Sequence, residues 1–322
     1  MTIPEFELKL NQWGHEQVPF LFLVDFELEN LLAWKINEIP GDISFSVGGF
    51  SNALSPKQNS KNISLTKHPI SFSEYKTRFD FVKERISFGD SYLTNLTVKT
   101  KINLNCSLEE LFFMSAAKYK LCWKNKFLVF SPETFIRIKN KKIYSFPMKG
   151  TIDASLPDAE QLILSDAKEL SEHVTIVDLI RNDLSAVAKN VKVNRFRYLE
   201  KIQTSQKDLL QVSSEIAGDL PEDYASEIGS ILVSLLPAGS ISGAPKKKTI
   251  QIIRDAEKEK RGFYTGVFGY FDGENVDSTV MIRFVEQEGD RFYYRSGGGI
   301  TAQSEVEKEY QEAIDKIYVP VY

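Results

Sequence analysis

The sequence predicts an α+β fold. Strand-like and helix-like runs are mixed along the chain without a strict βαβ alternation, which argues against a parallel, doubly wound sheet. The 322 residues, 42% of them hydrophobic, are enough to bury a full core without disulfide or metal staples. The turn Lys139-Asn140-Lys141, set between two alternating runs, reads as an antiparallel hairpin.

The elements follow in order. An apolar run from Phe20 to Phe26 reads as a strand, Leu28 to Asn37 as a short helix, and the Ser/Asn/Lys-rich stretch Ser51 to Lys67 as a linker or loose loop. From Ser73 the spacing turns helical, with Phe79, Val82 and Ile86 on one face, and Gly89-Asp90 closes it. Tyr92 to Val98 alternates as a strand, and Leu108 to Tyr119 reads as a helix. Phe127 to Ser131, Thr134 to Lys139 and Lys142 to Phe146 read as strands. Helices are expected over Asp158 to Lys189, Tyr224 to Leu235 and Pro245 to Lys260, the last with proline in its first turn. Strands are expected over Gly266 to Phe271, Asp277 to Glu286 and Asp290 to Arg295, then a closing helix from Ser304 to Ile317.

Composition removes several function classes. With 40 basic against 44 acidic side chains, a net charge of -4 gives no electrostatic reason to expect nucleic acid or an anionic membrane as partner. The longest apolar runs are too short to span a bilayer, and Met1-Thr2-Ile3-Pro4-Glu5 lacks a signal pattern, so a cytoplasmic protein is expected. Cys106 and Cys122 form no CxxC pair, and His15, His68 and His173 form no HExxH motif. The chemistry must rest on carboxylates, lysines, arginines and backbone groups.

Glu169 and Glu172 stand three apart on one predicted helix, and Glu309 and Glu312 repeat that spacing on another. Residues three apart share a helix face, so each pair presents two carboxylates in one direction. Such pairs suit a hard cation such as Mg²⁺, and they equally suit solvated faces making ion pairs. Gly297-Gly298-Gly299 reads either as an anion-binding nest of backbone N–H groups or as a plain strand-to-helix turn. The small-residue loop Pro237 to Lys246 opens a helix and admits close approach of a ligand. Lys149, in Pro147-Met148-Lys149-Gly150-Thr151, is either an ordinary loop lysine or a partly buried amine suited to nucleophilic work. Arg283, inside the predicted strand Val280 to Phe284, needs an anionic partner, whether a bound ligand or a structural carboxylate.

Together these stretches change the reading. The chain from about Phe72 to Ile317 resembles the chorismate-utilising enzymes: anthranilate synthase component I, aminodeoxychorismate synthase component I and isochorismate synthase. The resemblance is carried by Glu172-His173 running through Val177-Asp178-Leu179-Ile180-Arg181-Asn182-Asp183, by Pro237 to Lys246, by Arg261 to Tyr270, and by Gly297-Gly298-Gly299 with Glu309 and Glu312. It implies large mixed antiparallel sheets flanked by helices, in an anthranilate synthase component I-like fold. It also implies a shortened N-terminal segment, residues 1–71, packing on a chorismate-binding catalytic domain, residues 72–318.

Residue by residue, the resemblance implies that Glu172 and Glu312 ligate Mg²⁺, with Glu169 and Glu309 as supporting carboxylates. The ring carboxylate of chorismate would be held by that ion, by backbone groups of Gly297, Gly298 and Gly299, and by Gly150 and Thr151. Tyr264 and Arg283 would hold the enolpyruvyl carboxylate, and Glu133 would protonate the departing C4 hydroxyl. Lys149 stands where anthranilate synthases resemble one another in having alanine and aminodeoxychorismate synthases have a lysine nucleophile. The closest resemblance is therefore to aminodeoxychorismate synthase (para-aminobenzoate synthase) component I, which makes 4-amino-4-deoxychorismate for folate synthesis. Anthranilate synthase component I and a catalytically altered chorismate-binding subunit are the alternatives. Leu93 stands where isochorismate synthases have a lysine base, which argues against that activity. Gln211 replaces a histidine found in many relatives and leaves protonation to Glu133 or water. Nothing resembles a glutamine amidotransferase, so ammonia is expected from solution or from a separate glutaminase subunit. No LLES-like segment is present, so tryptophan feedback is not expected.

Overall fold

The computed structural model describes residues 1–53, 62–202 and 208–320. The core of the loop expected over Ser51–Lys67, residues 54–61, lies outside the described residues. The fold is mixed α+β, as expected. The chain forms two compact units, one of residues 1–38, 133–240 and 266–280 and the other of residues 39–132, 241–265 and 281–322. Each is built on its own nine-stranded sheet, antiparallel at every pairing. The segment 1–71, expected as a leader on a catalytic core, is distributed between them, with residues 1–38 in the first unit and 39–71 in the second.

In the first unit the sheet runs Met148–Asp153, Leu209–Asp219, Lys142–Ser145, Thr134–Lys139, Val276–Val280, Val267–Phe271, Phe20–Val24, Leu31–Lys35, with Lys189–Ile202 laid along Leu209–Asp219. All five residues of Phe20–Val24 are buried; the strand is paired on both sides, with Val267–Phe271 and with the edge strand Leu31–Lys35. The hairpin at Lys139 to Lys142 is present. Asn140 and Lys141 take positive φ values of 52° and 59°, matching the twist a two-residue hairpin turn requires.

The helix expected over Leu28 to Asn37 is instead the strand Leu31–Lys35, paired with Phe20–Val24. Asp25 decides this: its carboxylate accepts hydrogen bonds from the backbone of Glu29 and Asn30 and from the Asn30 amide, closing a tight loop that returns the chain alongside the first strand. The long helix expected from Asp158 to Lys189 is two helices, Ala159–Ser165 and Ala167–Ser185. Asp166 leaves helical geometry between them and caps the second by accepting from the Glu169 N–H at 2.9 Å.

In the second unit the order is Gly243–Ala244, Leu93–Leu104, Arg291–Ile300, Phe284–Glu288, Phe127–Ser131, Tyr119–Trp123, Ile43–Val47, Phe50–Ser51, with Leu65–His68 on the edge of Leu93–Leu104. Helix Phe72–Ser87 lays Tyr75, Phe79, Val82 and Ile86 against Leu96, Val98, Ile252, Ala256, Ile300 and Ala313. Cys106 and Cys122 are buried in a neighbouring apolar cluster and are not joined in a disulfide. The helix expected to reach Tyr119 stops at Met114, because Tyr119 opens a strand paired with Phe127–Ser131. The glycines Gly297 to Gly299 lie inside the strand Arg291–Ile300, which corrects both readings offered for them: the backbone is extended, not a nest and not a turn.

Residues 224–242 reach membrane-spanning length and apolarity only when three separate helical pieces, Tyr224–Glu227, Ile228–Leu235 and Gly239–Ser242, are counted as one.

Phe20 is fully buried and its ring lies 5.0 Å from that of Phe271. Phe20→Ala is expected to lower the stability of the first unit by about 3–5 kcal/mol, the usual cost of emptying a packed aromatic site. Denaturant unfolding measures it, and a loss below about 1 kcal/mol would contradict this account of the core.

Candidate functional site

In the first unit the chemistry gathers on the strand Met148–Asp153 and the helix Ala167–Ser185. The register between Met148–Asp153 and Leu209–Asp219 breaks between Met148 and Thr151, so Lys149 and Gly150 sit in a bulge. Gly150 has φ +82°, and a Cβ there would stand 3.1 Å from Glu169 Oε2. Only glycine accepts that backbone and lets the carboxylate come so close.

Lys149 Nζ lies 3.4 Å from Glu172 Oε2, and Lys168 Nζ lies 3.7 Å from Glu172 Oε1. Glu172 is only 7% exposed, and its Oε1 makes no hydrogen bond among the described residues. A buried carboxylate must be compensated by charge or hydrogen bonds, and here two lysines do so without saturating it. An orphaned oxygen on a buried carboxylate suits a hard cation, so Glu172 fits the role of Mg²⁺ ligand. Among the described residues no three or more His, Cys, Asp or Glu side chains form one metal-holding group. Mg²⁺ needs only one or two carboxylates when water and a substrate anion complete its shell.

His173 is 1% exposed, and its Nε2 is 2.7 Å from Ser214 Oγ. Burial first, then the charges of Arg197 and Lys149, push its pKa down to about 4, so the ring is neutral near pH 7. Gln211 faces Thr151 across the sheet, and its amide donates to Met148 Sδ at 2.7 Å. The residue standing in place of a histidine thus steadies the approach to Lys149. Glu133 follows Pro132 at the head of the next strand. Its carbonyl accepts from Val280 N–H and from Thr279 Oγ1, and its Oε1 accepts from Ser240 Oγ at 2.5 Å. Both Glu133 and Lys149 therefore belong to the same unit, each held by its own neighbours.

In the second unit the strand Arg291–Ile300 pairs with Leu93–Leu104, placing Gly297 opposite Thr97 and Gly298 opposite Leu96. The Thr97 N–H points away from this strand, because it donates to Glu257 Oε1 at 2.8 Å. In an antiparallel ladder a residue's N–H and C=O point to the same side. The Gly297 carbonyl accepts from Lys316 Nζ at 2.9 Å, so its N–H faces the same edge. The pairing with Phe284–Glu288 stops at Arg295, which leaves that edge open to an anion beyond it. A Cβ on Gly298 would lie 3.3 Å from Glu309 Oε2 and 3.4 Å from Glu312 Oε1, so both carboxylates of the last helix lie over this glycine. Glu309 is 3% exposed, and Glu312 pairs with Lys316.

Tyr264 is buried, and burial pushes its phenol up to about 12, which keeps it a neutral hydrogen-bonding group. Arg283 is not inside a strand as expected. It occupies the bend between Val276–Val280 and Phe284–Glu288 with φ +53°, half-buried, its Nε donating to Tyr318 Oη at 3.3 Å. The left-handed turn frees a guanidinium that a ladder position would have fixed on one sheet face.

The sequence reading gave no role to several contributors. Lys316 stands four residues after Glu312, a helical spacing that could have shown it. Glu257 and Arg261 form an ion pair whose side chains are 2% and 1% exposed. Glu257 also accepts from Thr97 N–H and Oγ1, while Arg261 reaches the Asn95 and Ile241 carbonyls and Thr265 Oγ1. This network anchors the turn that carries Tyr264.

Comparison with known proteins agrees with this layout. The model of the chorismate binding enzyme family matches residues 26–321. An uncharacterized PabA-like protein of Pasteurella multocida is 50% identical over 323 residues, covering 100% of both chains. Aminodeoxychorismate synthase component 1 of Escherichia coli is 31% identical over 285 residues, 83% of this chain and 61% of that one. The crystal structure of anthranilate synthase component I from Streptococcus pneumoniae superposes with a TM-score of 0.65 at 24% identity, covering 80% of this chain and 59% of that one, and so shares the fold.

Glu257→Ala would strand the Arg261 charge in the core of the second unit. The expected loss of stability is about 3–5 kcal/mol, read by denaturant unfolding. A change under about 1 kcal/mol would show that the pair is not the anchor described.

Proposed function

Because the chain belongs to the chorismate-binding enzyme family and is an enzyme acting on chorismate, related to both aminodeoxychorismate synthase and anthranilate synthase component 1, we propose that it is an aminodeoxychorismate synthase component I. It converts chorismate and ammonia to 4-amino-4-deoxychorismate for folate synthesis. The observation that carries this reading is the lysine in Pro147-Met148-Lys149-Gly150-Thr151, set in a glycine-permitted bulge with its amine beside a buried carboxylate.

The neutral Lys149 amine attacks C2 of the ring, C1=C2 becomes C1=C6, C5=C6 becomes C4=C5, and the C4–O bond breaks. Glu133 supplies the proton with which the hydroxyl leaves as water. Ammonia then attacks C4, both double bonds return, the C2–N bond breaks to restore the neutral Lys149 amine, and the proton lost from the new C4 nitrogen returns to Glu133. Tyr264 and Arg283 hold the enolpyruvyl carboxylate. Gly150 and Thr151 hold the ring carboxylate beside Lys149, which restricts the orientation of the substrate. In the first unit Glu172 would hold Mg²⁺, with Glu169 in support, and the bound ion would supply positive charge for the ring carboxylate. Ammonia comes from a separate glutaminase subunit or from solution, and a cytoplasmic setting belongs to the same reading.

Incubation with chorismate, Mg²⁺ and an ammonium salt is expected to yield 4-amino-4-deoxychorismate without release of pyruvate. Anthranilate with stoichiometric pyruvate would overturn the assignment in favour of anthranilate synthase. Chorismate binding with no turnover would favour a non-catalytic subunit.

A further inference from the structure

Glu172 has two competing claims on its carboxylate. Its Oε2 faces Lys149 Nζ at 3.4 Å and its Oε1 faces Lys168 Nζ at 3.7 Å. The carboxylate is 7% exposed, so little water screens either charge. A divalent cation taking these oxygens must stand within coordination distance of Glu172, where it would share the same oxygens with two like-charged groups. Like charges a few ångströms apart at a poorly solvated site repel strongly.

The three groups differ in how firmly they are held. Glu172 is fixed on the helix Ala167–Ser185 between buried His173 and Ile176. Lys168 lies one helical turn earlier on the same helix and is 33% exposed. Lys149 is 22% exposed and sits where the strand register is interrupted, next to a glycine at φ +82°. Its neighbour Met148 is tied down by the Gln211 amide, and Thr151 is back in register opposite Gln211. The flexible element is therefore the lysine itself, between two secured neighbours.

We propose that Lys149 and Mg²⁺ compete for Glu172, so that loading of the cation moves the Lys149 amine off the carboxylate and into the position from which it attacks. This rests on the reading of Glu172 as the metal ligand. By linkage, whatever the cation does to Lys149, Lys149 does to the affinity for the cation. The lysine thus weakens metal binding in exchange for being held until the cation arrives, and the nucleophile is released only in the loaded site.

Calorimetric titration of Mg²⁺ alone into the full-length protein tests this without any turnover. Lys149→Met is expected to tighten Mg²⁺ binding about fivefold or more, within the usual range for coupled sites. Lys149→Arg, which keeps the charge, is expected to stay within about twofold of the parent protein, while Glu172→Gln loses binding. Unchanged or weaker binding by Lys149→Met, with Glu172→Gln still defective, would overturn the competition and leave the metal assignment standing. Undiminished binding by Glu172→Gln would overturn both.

Discussion

The candidate site of the first unit is organised around one buried carboxylate, that of Glu172. Glu172 is carried into the protein by a helix whose apolar face, Ile176, Val177, Ile180 and Leu184, is part of the core, so it cannot turn to solvent without unseating that helix. A carboxylate in that position must be compensated, and the compensation defines what stands around it. Lys168 supplies charge from the same helix, Lys149 from the facing strand, and Gly150 leaves room for Glu169 alongside. His173, pushed to its neutral form by the same surroundings, adds no further positive charge.

The second unit solves a related problem differently. Glu257 and Arg261 are buried together with nearly all their polar atoms engaged, and they lock the turn ahead of Tyr264 to the strand carrying Thr97. That saturated pair serves structure. The carboxylates of the last helix are arranged otherwise, with Glu309 and Glu312 over Gly298 and Lys316 drawn to the backbone beside it. A fully satisfied buried charge network rigidifies the elements it joins.

Local signals were legible where one physical cue dominated. The hairpin at Asn140-Lys141 and the helix Phe72–Ser87 follow from turn chemistry and apolar period. Leu28 to Asn37 misled because its apolar residues suit either period. The side chain that decides, Asp25, acts by hydrogen-bonding backbone several residues ahead. The triple glycine suggested a turn, since glycine is usual there. It lies in a strand whose neighbour comes so close that a Cβ on Gly297 would stand 2.2 Å from the Leu96 carbonyl oxygen, so glycine is required there by a tertiary constraint invisible in local sequence. Arg283 was misplaced for a similar reason: the run from Val276 to Glu288 alternates well enough to read as one strand, and nothing local marks the left-handed break. The motif residues were named from the family resemblance; Lys168 and Lys316 stand at helical spacing from Glu172 and Glu312 and could have been found from it, whereas the contact of Ser240 with Glu133 emerges only from the packing.

The account turns on Lys149 as the group that bonds to the ring. The most direct measurement is mass spectrometry of the acid-quenched protein mixed with chorismate and Mg²⁺ in the absence of ammonia. The account predicts an adduct equal to chorismate less one water on the peptide that contains Lys149, dispersed when ammonium is added. Chorismate turned over with no adduct under any quench time, or an adduct on another residue, would contradict it.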